Sequence, residues 1–452
     1  MFDRVLVANR GEIAVRVIRA LHELGIEAVA VYSTADREAL HVELADQAVC
    51  IGPPPAGESY LRIPNLVAAA ETTGCDAVHP GYGFLAENAA FVRACDENHL
   101  VFVGPTVGVV EQMGDKVRAK DAVRTAGVPL VPGSDAAGGL DALLQAAADA
   151  GFPVLLKASA GGGGKGMRVV AHEDELAGAL DAASAEAAAA FGDGSVYVEK
   201  LVAPARHVEI QVLCDGEGGV LTLGERECSI QRRHQKLVEE SPSVALDAAT
   251  REEMEETVAR ACEAIGYRNA GTFEFLVGPD GAFYFIEVNC RLQVEHPVTE
   301  LVTGIDIVRE QIRIAAGEPL TATGRAERRG HAIEVRINAE DPSRGFLPAP
   351  GLVTRFDVPL GPGIRIDTAV RAGAEIPPYY DSMIAKLIVW DDSRAAAIAR
   401  TEWALRELVV EGIPTTRDLA LDVLGSPEFR SGAYSTSTLD QLEGRLPSLA
   451  RA

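Results

Sequence analysis

Two glutamates lie on neighbouring predicted strands near the middle of the chain, among residues that would otherwise form core. Residues 272–277 and 282–288 are rich in aromatic and β-branched types, and the Gly-Pro-Asp-Gly between them predicts a β-hairpin. Glu274 stands between two phenylalanines, and Glu287 follows an aromatic and an aliphatic residue. Because an unpaired buried carboxylate is costly, a shared cation would stabilise both, and oxygen ligands of this kind suit Mg²⁺.

The segment after the second strand carries further polar groups. Alternation along an extended chain predicts Asn289, Arg291 and Gln293 on the same face as Glu287, and Glu295 follows just beyond the strand. Loops at strand ends often hold reactive groups. The alternative is a hairpin with one solvated face, on which these side chains meet only water. The density of Arg, Gln and Glu favours the functional interpretation.

The composition excludes several classes of protein. A chain of 452 residues suggests about three domains and can bury a core without disulfides. The net charge of −24 repels a phosphate backbone and argues against general nucleic-acid binding. The seven cysteines are scattered without a CxxC pair, which indicates a reducing compartment and no structural zinc. No signal peptide and no run of about 18 apolar residues is present, so we expect a cytoplasmic protein without a membrane partner.

The amino-terminal region predicts a parallel α/β layer. A strand, a helix and four further strands are predicted over residues 4–8, 12–24, 28–32, 48–51, 77–79 and 100–103. The loop after the first strand, Asn-Arg-Gly-Glu, lacks the GxGxxG spacing of a dinucleotide fold, which excludes NAD and FAD. The glycine-rich turn at 79–84 follows a strand, where open α/β sheets bind ligands. A tight turn without a ligand is an equally good interpretation.

A run of glycines at 161–164 lies between two short strands predicted at 153–157 and 168–171. A flexible linker is one interpretation, but a linker has no reason to lie inside a hairpin. Backbone N–H groups of such a loop can close over phosphates, and Lys165 adds a mobile positive charge. The Gly-Lys-Ser/Thr ending of a Walker loop is missing. We therefore predict a mobile phosphate lid.

A cationic segment precedes the hairpin. Residues 228–236, CSIQRRHQK, gather several cationic and amide groups in a chain that is otherwise acidic. A solvated loop of this composition would be unremarkable. As one wall of an anion site opposite Glu274 and Glu287, the segment would supply the charge that phosphate chemistry requires.

Taken together, the motifs resemble the biotin carboxylase component of biotin-dependent carboxylases, within the ATP-grasp superfamily. They are ANRGEIA (8–14), HPGYGFLAEN (79–88), MGDK (113–116), KASAGGGGKGM (157–167), RHVEIQV (206–212), QRRHQK (231–236), RLQVEHPVTE (291–300) and EVRINAEDP (334–342). The resemblance implies an α/β (α+β) ATP-grasp fold. It divides the chain into an N-terminal parallel α/β domain at 1–113, a linker at 114–130, a glycine-loop lid domain at 131–202, and a C-terminal ATP-grasp and antiparallel-sheet domain at 203–446.

The resemblance also implies roles for individual residues. The ATP site would consist of Lys116, Lys157, Gly162, Gly163, Gly164, Glu199, Lys200, Val202, His207, Gln231, His234, Glu274 and Glu287. Mg²⁺ or Mn²⁺ would be held by Glu274, Glu287 and Asn289. Bicarbonate would contact Lys236, Arg291, Gln293 and Val294, and biotin would contact Tyr82 and Arg336. The catalytic residues would be Glu295, as general base, with Arg291, Arg336 and Lys236.

The implied reaction is carboxylation of biotin by bicarbonate and ATP through carboxyphosphate, the first half-reaction of an acetyl- or propionyl-CoA type carboxylase. The chain has no Ala-Met-Lys-Met sequence, so biotin would be attached to a separate biotin carboxyl carrier protein, with a separate carboxyltransferase. A homodimer or a larger complex is expected. Two alternatives remain: another ATP-grasp ligase, which would lack RLQVEHP and EVRINAEDP, and a regulatory nucleotide-binding module, which would tolerate the loss of Glu295 or Arg336.

Overall fold

Short apolar strands at the amino terminus form a five-stranded parallel sheet with helices packed against it. The computed structural model describes residues 1–134, 140–158, 167–442 and 444–449. The first elements are β1 (Arg4–Val7), α1 (Gly11–Glu23), β2 (Glu27–Ser33), α2 (Leu40–Leu44), β3 (Gln47–Gly52), α3 (Ile63–Thr73), β4 (Ala77–His79), α4 (Ala89–Glu97), β5 (Val101–Phe102) and α5 (Val107–Gly114). The strand order β3-β2-β1-β4-β5 confirms the predicted parallel layer.

The strand order of this sheet reverses beside β1, which pairs with β2 on one side and β4 on the other. Such a switch point opens a crevice at the carboxyl ends of the two strands, where ligands bind. Asn9 follows β1, and its Nδ2 donates hydrogen bonds to the carbonyl oxygens of Pro80 and Tyr82, both at 2.7 Å. The glycine-rich turn predicted at 79–84 is therefore tied to the loop after β1.

A smaller unit follows, with a three-stranded antiparallel sheet in the order β7-β6-β8. Its elements are α6 (Lys116–Thr125), α7 (Leu140–Ala150), β6 (Val154–Ala158), β7 (Met167–Val170), α8 (Leu176–Phe191) and β8 (Val196–Lys200). Helix α6 lies within the segment assigned to a linker. The strands bury their own apolar cluster, which includes Leu143, Leu156 and Val198. The predicted phosphate lid, with Gly162, Gly163, Gly164 and Lys165, lies outside the described residues.

The largest sheet has nine strands, eight of them in the antiparallel order β13-β12-β9-β10-β11-β15-β22-β20. Its elements and their connections are β9 (Arg206–Cys214), β10 (Val220–Arg232), β11 (Gln235–Ser241), α9 (Ala248–Ile265), β12 (Asn269–Val277), β13 (Phe283–Asn289), α10 (His296–Thr303), α11 (Ile307–Ala315), β14 (Gly324–Arg325) and β15 (His331–Asn338). Helix α9 is not among the predicted elements.

The described residues of the carboxyl-terminal part add the last two strands of that sheet, several short strand pairs and four helices. Its elements are β16 (Glu340–Asp341), β17 (Leu347–Pro348), β18 (Gly351–Leu352), β19 (Arg355–Asp357), β20 (Ile364–Thr368), β21 (Glu375–Ile376), β22 (Met383–Asp391), α12 (Arg394–Glu407), β23 (Val409–Glu411), α13 (Arg417–Gly425), α14 (Pro427–Ser431) and α15 (Thr438–Leu442). Single-turn 3₁₀ helices occur at Thr34–Asp36, Ala56–Glu58, Glu173–Glu175, Pro342–Arg344 and Pro447–Leu449. The parallel first sheet, the antiparallel sheets that follow and the helices between them confirm the predicted mixed α/β class. Within the described residues, no helix is both long and apolar enough to span a bilayer.

The cationic segment 228–236 is part of a hairpin rather than an open loop. Strand β10 continues to Arg232, which pairs with Gln235 on β11, so that only Arg233 and His234 form the turn. Their φ angles are 49° and 66°. Two-residue hairpin turns of this kind require positive φ at both positions, and Asn or Gly usually supplies it. Arg-His gives no such signal, which is why the turn is hard to recognise in the sequence.

Glu240 joins β11 to the carboxyl-terminal helices. Its buried carboxylate accepts hydrogen bonds from Arg394 Nε at 2.7 Å and Nη2 at 3.1 Å, and lies 2.6 Å from His331 Nε2. The Tyr434 hydroxyl also donates to it. Burial by itself would raise the pKa of Glu240, but the hydrogen bonds from His331 and Arg394 lower it from 4.5 to about 2.

We expect Glu240→Gln to change how stability depends on pH. A carboxylate with a lowered pKa contributes stability that is complete above about pH 4.5 and is lost as the pH falls toward 2. The interval between the two pKa values corresponds to roughly 3 kcal/mol. The free energies of unfolding of variant and parent, measured in urea, should therefore differ by roughly this amount at pH 7 and by less than half of it near pH 3. The exposed Glu97→Gln is the matched control, and an equal separation at both pH values would contradict the interpretation.

Candidate active site

A cleft of about 1040 Å³ lies between the switch point of the first sheet, the strands of the smaller unit and one face of the large sheet. The predicted site residues that line it are Tyr82, Lys116, Lys157, Glu199, Lys200, Val202, His207, Gln231, His234, Lys236, Glu274, Glu287, Asn289, Arg291, Gln293, Val294 and Arg336. Of the predicted site residues that the structure describes, Glu295 alone is not part of this lining. The tertiary structure thus brings together residues separated by more than 250 positions.

One row of charged side chains crosses four neighbouring strands on the face that meets the cleft. The pairing registers place Arg226 opposite Glu209, Glu209 opposite Glu274, and Glu274 opposite Glu287. Directly opposed residues share a face of the sheet, and like charges in that position repel each other. Three carboxylates in a row therefore need cations beside them.

Glu274, in the centre of this row, is surrounded by donors. Its Oε1 accepts hydrogen bonds from Asn289 at 2.9 Å, Gln293 at 3.0 Å and Lys236 at 3.1 Å, and its Oε2 lies 2.9 Å from His207 Nε2. Burial alone would raise the pKa of Glu274, but Lys236 and His207 lower it far below its usual value. The carboxylate is therefore ionised at any physiological pH.

Glu287, at the end of the row, has the opposite shift. Its side chain opens onto the cleft, yet desolvation raises its pKa, and the neighbouring carboxylates Glu274 and Glu87 raise it further. A divalent cation bound here would offset this excess of negative charge. The oxygens of Glu274, Glu287 and Asn289 are also the ligand type that Mg²⁺ prefers, so these residues fit the predicted metal.

Lys236 is the cation shared by three carboxylates. Its Nζ lies 2.7 Å from Glu209, 3.1 Å from Glu274 and 2.5 Å from Glu295. Burial opposes the charge of this ammonium group, but the carboxylates outweigh burial and raise the pKa of Lys236. Lys236 therefore remains protonated while it faces the cleft.

Glu295 lies behind Lys236 and Arg336 and is fully buried. Its Oε2 accepts a hydrogen bond from Arg336 Nη2 at 2.9 Å, and its Oε1 contacts Lys236. Burial would raise the pKa of Glu295, but Lys236, Arg336 and Arg226 lower it well below its usual value. In this arrangement the predicted base is ionised and is separated from the cleft by two cationic side chains.

Arg336 and Arg291 are each held by a carboxylate that is not among the predicted site residues. Arg336 Nε donates to Glu239 at 2.6 Å, and burial raises the pKa of Glu239 to about 7 even though Arg336 opposes the shift. Arg291 Nε donates to Glu87 at 2.8 Å, while its Nη2 donates to Asn289 at 2.8 Å. Glu87 belongs to the motif HPGYGFLAEN, so the first sheet orients a cation of the large one.

At the other end of the cleft, Glu199 forms ion pairs with two lysines. Lys120 Nζ lies 2.6 Å from one carboxylate oxygen and Lys157 Nζ lies 2.5 Å from the other. Burial would raise the pKa of Glu199, but the two ammonium groups lower it. Lys157, predicted to belong to the ATP site, is therefore paired with Glu199 in this structure.

Several residues of the site were missed in the sequence: Glu87, Lys120, Glu209, Arg226 and Glu239. A signal existed for Glu209, because alternation places it on one face of its strand with His207 and Gln211. Arg226 gives no local signal. It is fully buried, and it donates to Glu209 at 2.5 Å and to Gln211 at 2.8 Å.

Comparison with known proteins covers nearly the whole chain. Residues 1–110 match the family model described as biotin carboxylase, N-terminal domain. Residues 115–323 match carbamoyl-phosphate synthase L chain, ATP binding domain, and residues 334–441 match biotin carboxylase C-terminal domain.

Individual relatives agree with these matches. A biotin carboxylase of Nostoc sp. is 53% identical over 443 residues, covering 98% of this chain and 99% of the relative. A pyruvate carboxylase subunit from Methanothermobacter thermautotrophicus is 50% identical over 443 residues, covering 98% and 90%. The biotin carboxylase domain of Hydrogenobacter thermophilus 2-oxoglutarate carboxylase was solved as a dimer with MgADP, ADP and bicarbonate. It has a TM-score of 0.92 and 48% identity, covering 100% of this chain and 99% of that one.

Matches in all three parts of the chain, together with this level of identity, show that the chain belongs to the biotin carboxylase family, ATP-dependent ligases that carboxylate biotin.

Proposed function

We propose that this chain carboxylates biotin on a separate carrier protein, with bicarbonate and ATP as substrates and carboxyphosphate as the intermediate. The observation that carries the proposal is the placement of Glu295 directly behind Lys236 and Arg336, two cations that line a cleft large enough for a nucleotide. A buried carboxylate between two cations, beside Arg291 and Gln293, suits a small oxyacid that has to lose a proton.

The nucleotide occupies the cleft with its phosphates toward Lys116 and Lys157 and its base near Glu199, Lys200 and Val202. His207, Gln231 and His234 line the same space. Because Lys157 is paired with Glu199, phosphate has to compete with that carboxylate for the ammonium group. The exchange replaces one anionic partner of Lys157 with another, so no charge is left unpaired.

Glu274, Glu287 and Asn289 would hold Mg²⁺ or Mn²⁺. Support comes from the oxygen donors and from the raised pKa of Glu287. When bound, the ion neutralises phosphate charge and orients the nucleotide for in-line transfer. Glu274 is already hydrogen-bonded by Asn289, Gln293 and Lys236, so this carboxylate keeps one geometry for its part in the site.

Bicarbonate binds where Lys236, Arg291, Gln293 and the Val294 backbone meet. The bicarbonate anion competes with Glu295 for the positive charges of Lys236 and Arg336. Because the ion pairs of Glu295 with these two residues then weaken, its proton affinity rises. Glu295 then accepts the bicarbonate proton, and the freed oxygen attacks the γ-phosphorus of ATP. The bond from that phosphorus to ADP breaks, and carboxyphosphate forms.

Carboxyphosphate divides into CO₂ and phosphate inside the cleft. The phosphate takes the ureido N–H proton of biotin, Arg336 stabilises the negative charge on the ureido oxygen, and the nitrogen attacks CO₂. Tyr82, at the switch point of the first sheet, contacts the biotin rings. Exclusion of water protects the acyl phosphate from hydrolysis.

For the complete enzyme we propose an acyl-CoA carboxylase of the acetyl- or propionyl-CoA type. Its other parts would be a biotin carboxyl carrier protein and a carboxyltransferase, and this chain would form a homodimer within the complex. The relative at 53% identity is named biotin carboxylase, whereas relatives at 50% and 48% are named for pyruvate and 2-oxoglutarate carboxylases. Purification with a biotinylated partner, followed by carboxyl transfer assays with acetyl-CoA, propionyl-CoA, pyruvate and 2-oxoglutarate, separates these acceptors.

The activity itself is tested by ADP release with ATP, Mg²⁺ and bicarbonate, with and without biotin. Release that depends on biotin supports the proposal. Release that ignores biotin would indicate another ATP-grasp ligase, and binding of ATP without release would indicate a regulatory module.

We expect Glu295→Gln to lose most turnover, roughly a hundredfold or more, because an amide cannot accept the bicarbonate proton. The affinity for ATP should stay within about twofold of the parent, since Glu295 is not part of the cleft lining. Steady-state ADP release and nucleotide titration measure the two effects separately. Glu97→Gln, on the exposed surface, serves as the control, and parental turnover in Glu295→Gln would remove this residue from the mechanism.

Glu287→Gln should weaken nucleotide binding only when Mg²⁺ is present. The substitution removes one carboxylate ligand and relieves the repulsion from Glu274, so the Mg²⁺-dependent gain in affinity should fall by roughly tenfold. Isothermal titration with ADP, in Mg²⁺ and in EDTA, measures that gain. An undiminished gain would mean that Glu287 does not bind the metal.

A further inference from the structure

Lys386 is a fully buried lysine in the middle of strand β22. The pairing registers place it opposite Arg336 on β15 and opposite Asp367 on β20. A buried ammonium group is costly unless carboxylates and hydrogen-bond acceptors surround it. Its neighbours therefore indicate why a lysine occupies this position.

Three segments distant in sequence meet at the Lys386 ammonium group. Its Nζ donates a hydrogen bond to the carbonyl oxygen of Val294 at 2.8 Å. It lies 3.3 Å from Glu12 Oε1 on helix α1 and 3.8 Å from Asp367 Oδ2 on strand β20. One cation thus joins the first sheet, the segment before helix α10 and the edge of the large sheet.

The hydrogen bond to Val294 acts on the bicarbonate side of the cleft. The Val294 carbonyl belongs to the planar peptide unit that leads into Glu295. Fixing that oxygen therefore fixes the orientation of the chain at both residues. Val294 lines the cleft, and Glu295 carries the carboxylate between Lys236 and Arg336.

The ion pair of Lys386 with Glu12 affects the side of the cleft that is proposed to bind biotin. The Tyr82 hydroxyl donates a hydrogen bond to Glu12 Oε1, which is the same oxygen that faces Lys386. The Lys386 ammonium group also lies 5.9 Å from the centroid of the Tyr82 ring. The position of Tyr82 therefore depends on Lys386 through one carboxylate.

Neutralisation of nearby acids alone does not account for the lysine. Asp367 already pairs with Arg365 at 2.7 Å. Glu334, on the strand next to Lys386, has no hydrogen-bond partner for either carboxylate oxygen in the part of the chain that the structure describes. Burial raises the pKa of Glu334 well above its usual value although Lys386 opposes the shift, so the lysine does not offset the burial of this carboxyl group. The contacts that explain a lysine at this position are therefore those with the Val294 carbonyl and the Glu12 carboxylate.

We propose that Lys386 is a positioning residue that holds the bicarbonate-binding backbone at Val294 and the biotin-contacting Tyr82 in register with each other. The inference rests on the proposed function, because it takes the roles of Val294 and Tyr82 from there. Lys386 itself touches neither substrate. It sets where the CO₂ released from carboxyphosphate arises relative to the nitrogen that captures it.

Lys386→Met tests the proposal, since methionine fills similar space without the charge. We expect the KM values for bicarbonate and for free biotin to rise by roughly tenfold or more, which is the effect of losing one hydrogen bond to a charged group. The affinity for MgADP should stay within about twofold of the parent. Glu12→Ala should raise the KM for biotin with a smaller effect on bicarbonate, because Lys386 still reaches Val294.

Arg394→Met is the matched control for lost stability. It breaks the ion pair with Glu240, which lies on the opposite face of β11 from Glu239 and the cleft. This variant should lower Tm and leave both KM values unchanged. If Lys386→Met lowers Tm in the same way without changing either KM, Lys386 is purely structural and the proposal is wrong.

A double variant keeps the test decisive if Lys386→Met does not fold. Glu12→Gln with Lys386→Met removes both members of the buried pair, so no charge is left without a partner, and the glutamine still accepts the Tyr82 hydrogen bond. The KM for bicarbonate should rise as in the single variant, and a parental KM would overturn the proposal. Absence of biotin-dependent ADP release in the parent would instead reject the proposed function, so the two failures are distinguishable.

Discussion

Repulsion between carboxylates on neighbouring strands is the constraint on which the site depends. Glu209, Glu274 and Glu287 lie directly opposite one another on three strands, an arrangement that is unfavourable by itself. Arg226 closes the row at one end, and Lys236 contacts two of its members from above. The sheet tolerates this polar face because Glu209 and Glu274 each have a cation within hydrogen-bonding distance, and one of these cations, Lys236, also lines the cleft.

The environment separates the carboxylates into different chemical roles. Glu274 and Glu295 are surrounded by cations that keep them ionised, whereas Glu287 sits beside further negative charge and has a raised pKa. Glu239, next to Arg336, has a pKa of about 7 because burial outweighs its arginine partner. In the proposed mechanism, residues of one type would thus supply a fixed anchor, a base and a metal ligand, because their surroundings give them different proton affinities.

Contacts between distant parts of the chain set the geometry of the cleft. Glu87 from the first sheet holds Arg291, and Glu12 from the same region reaches Lys386 beneath Val294. Glu199 gathers Lys120 and Lys157 at the nucleotide end. The contacts of Glu87 and Glu12 each link the amino-terminal region to the large sheet, whereas Glu199 and its two lysines lie within the smaller unit. A shift between the units would therefore change substrate affinity before it changed the fold of either one.

Local pattern was sufficient for the hairpin of Glu274 and Glu287, for the parallel first layer and for the family, because alternation, turn residues and motifs are properties of short stretches of chain. It was not sufficient for the turn at Arg233 and His234, because both residues have positive φ angles and neither is the Gly or Asn that usually indicates such a turn. The partners of Arg226, Glu87 and Lys386 were also out of reach. The sequence by itself determined which chemical groups are present and which strands carry them. Only the tertiary structure decided which charges meet, because strand order and register bring together residues hundreds of positions apart, and burial then sets their pKa values.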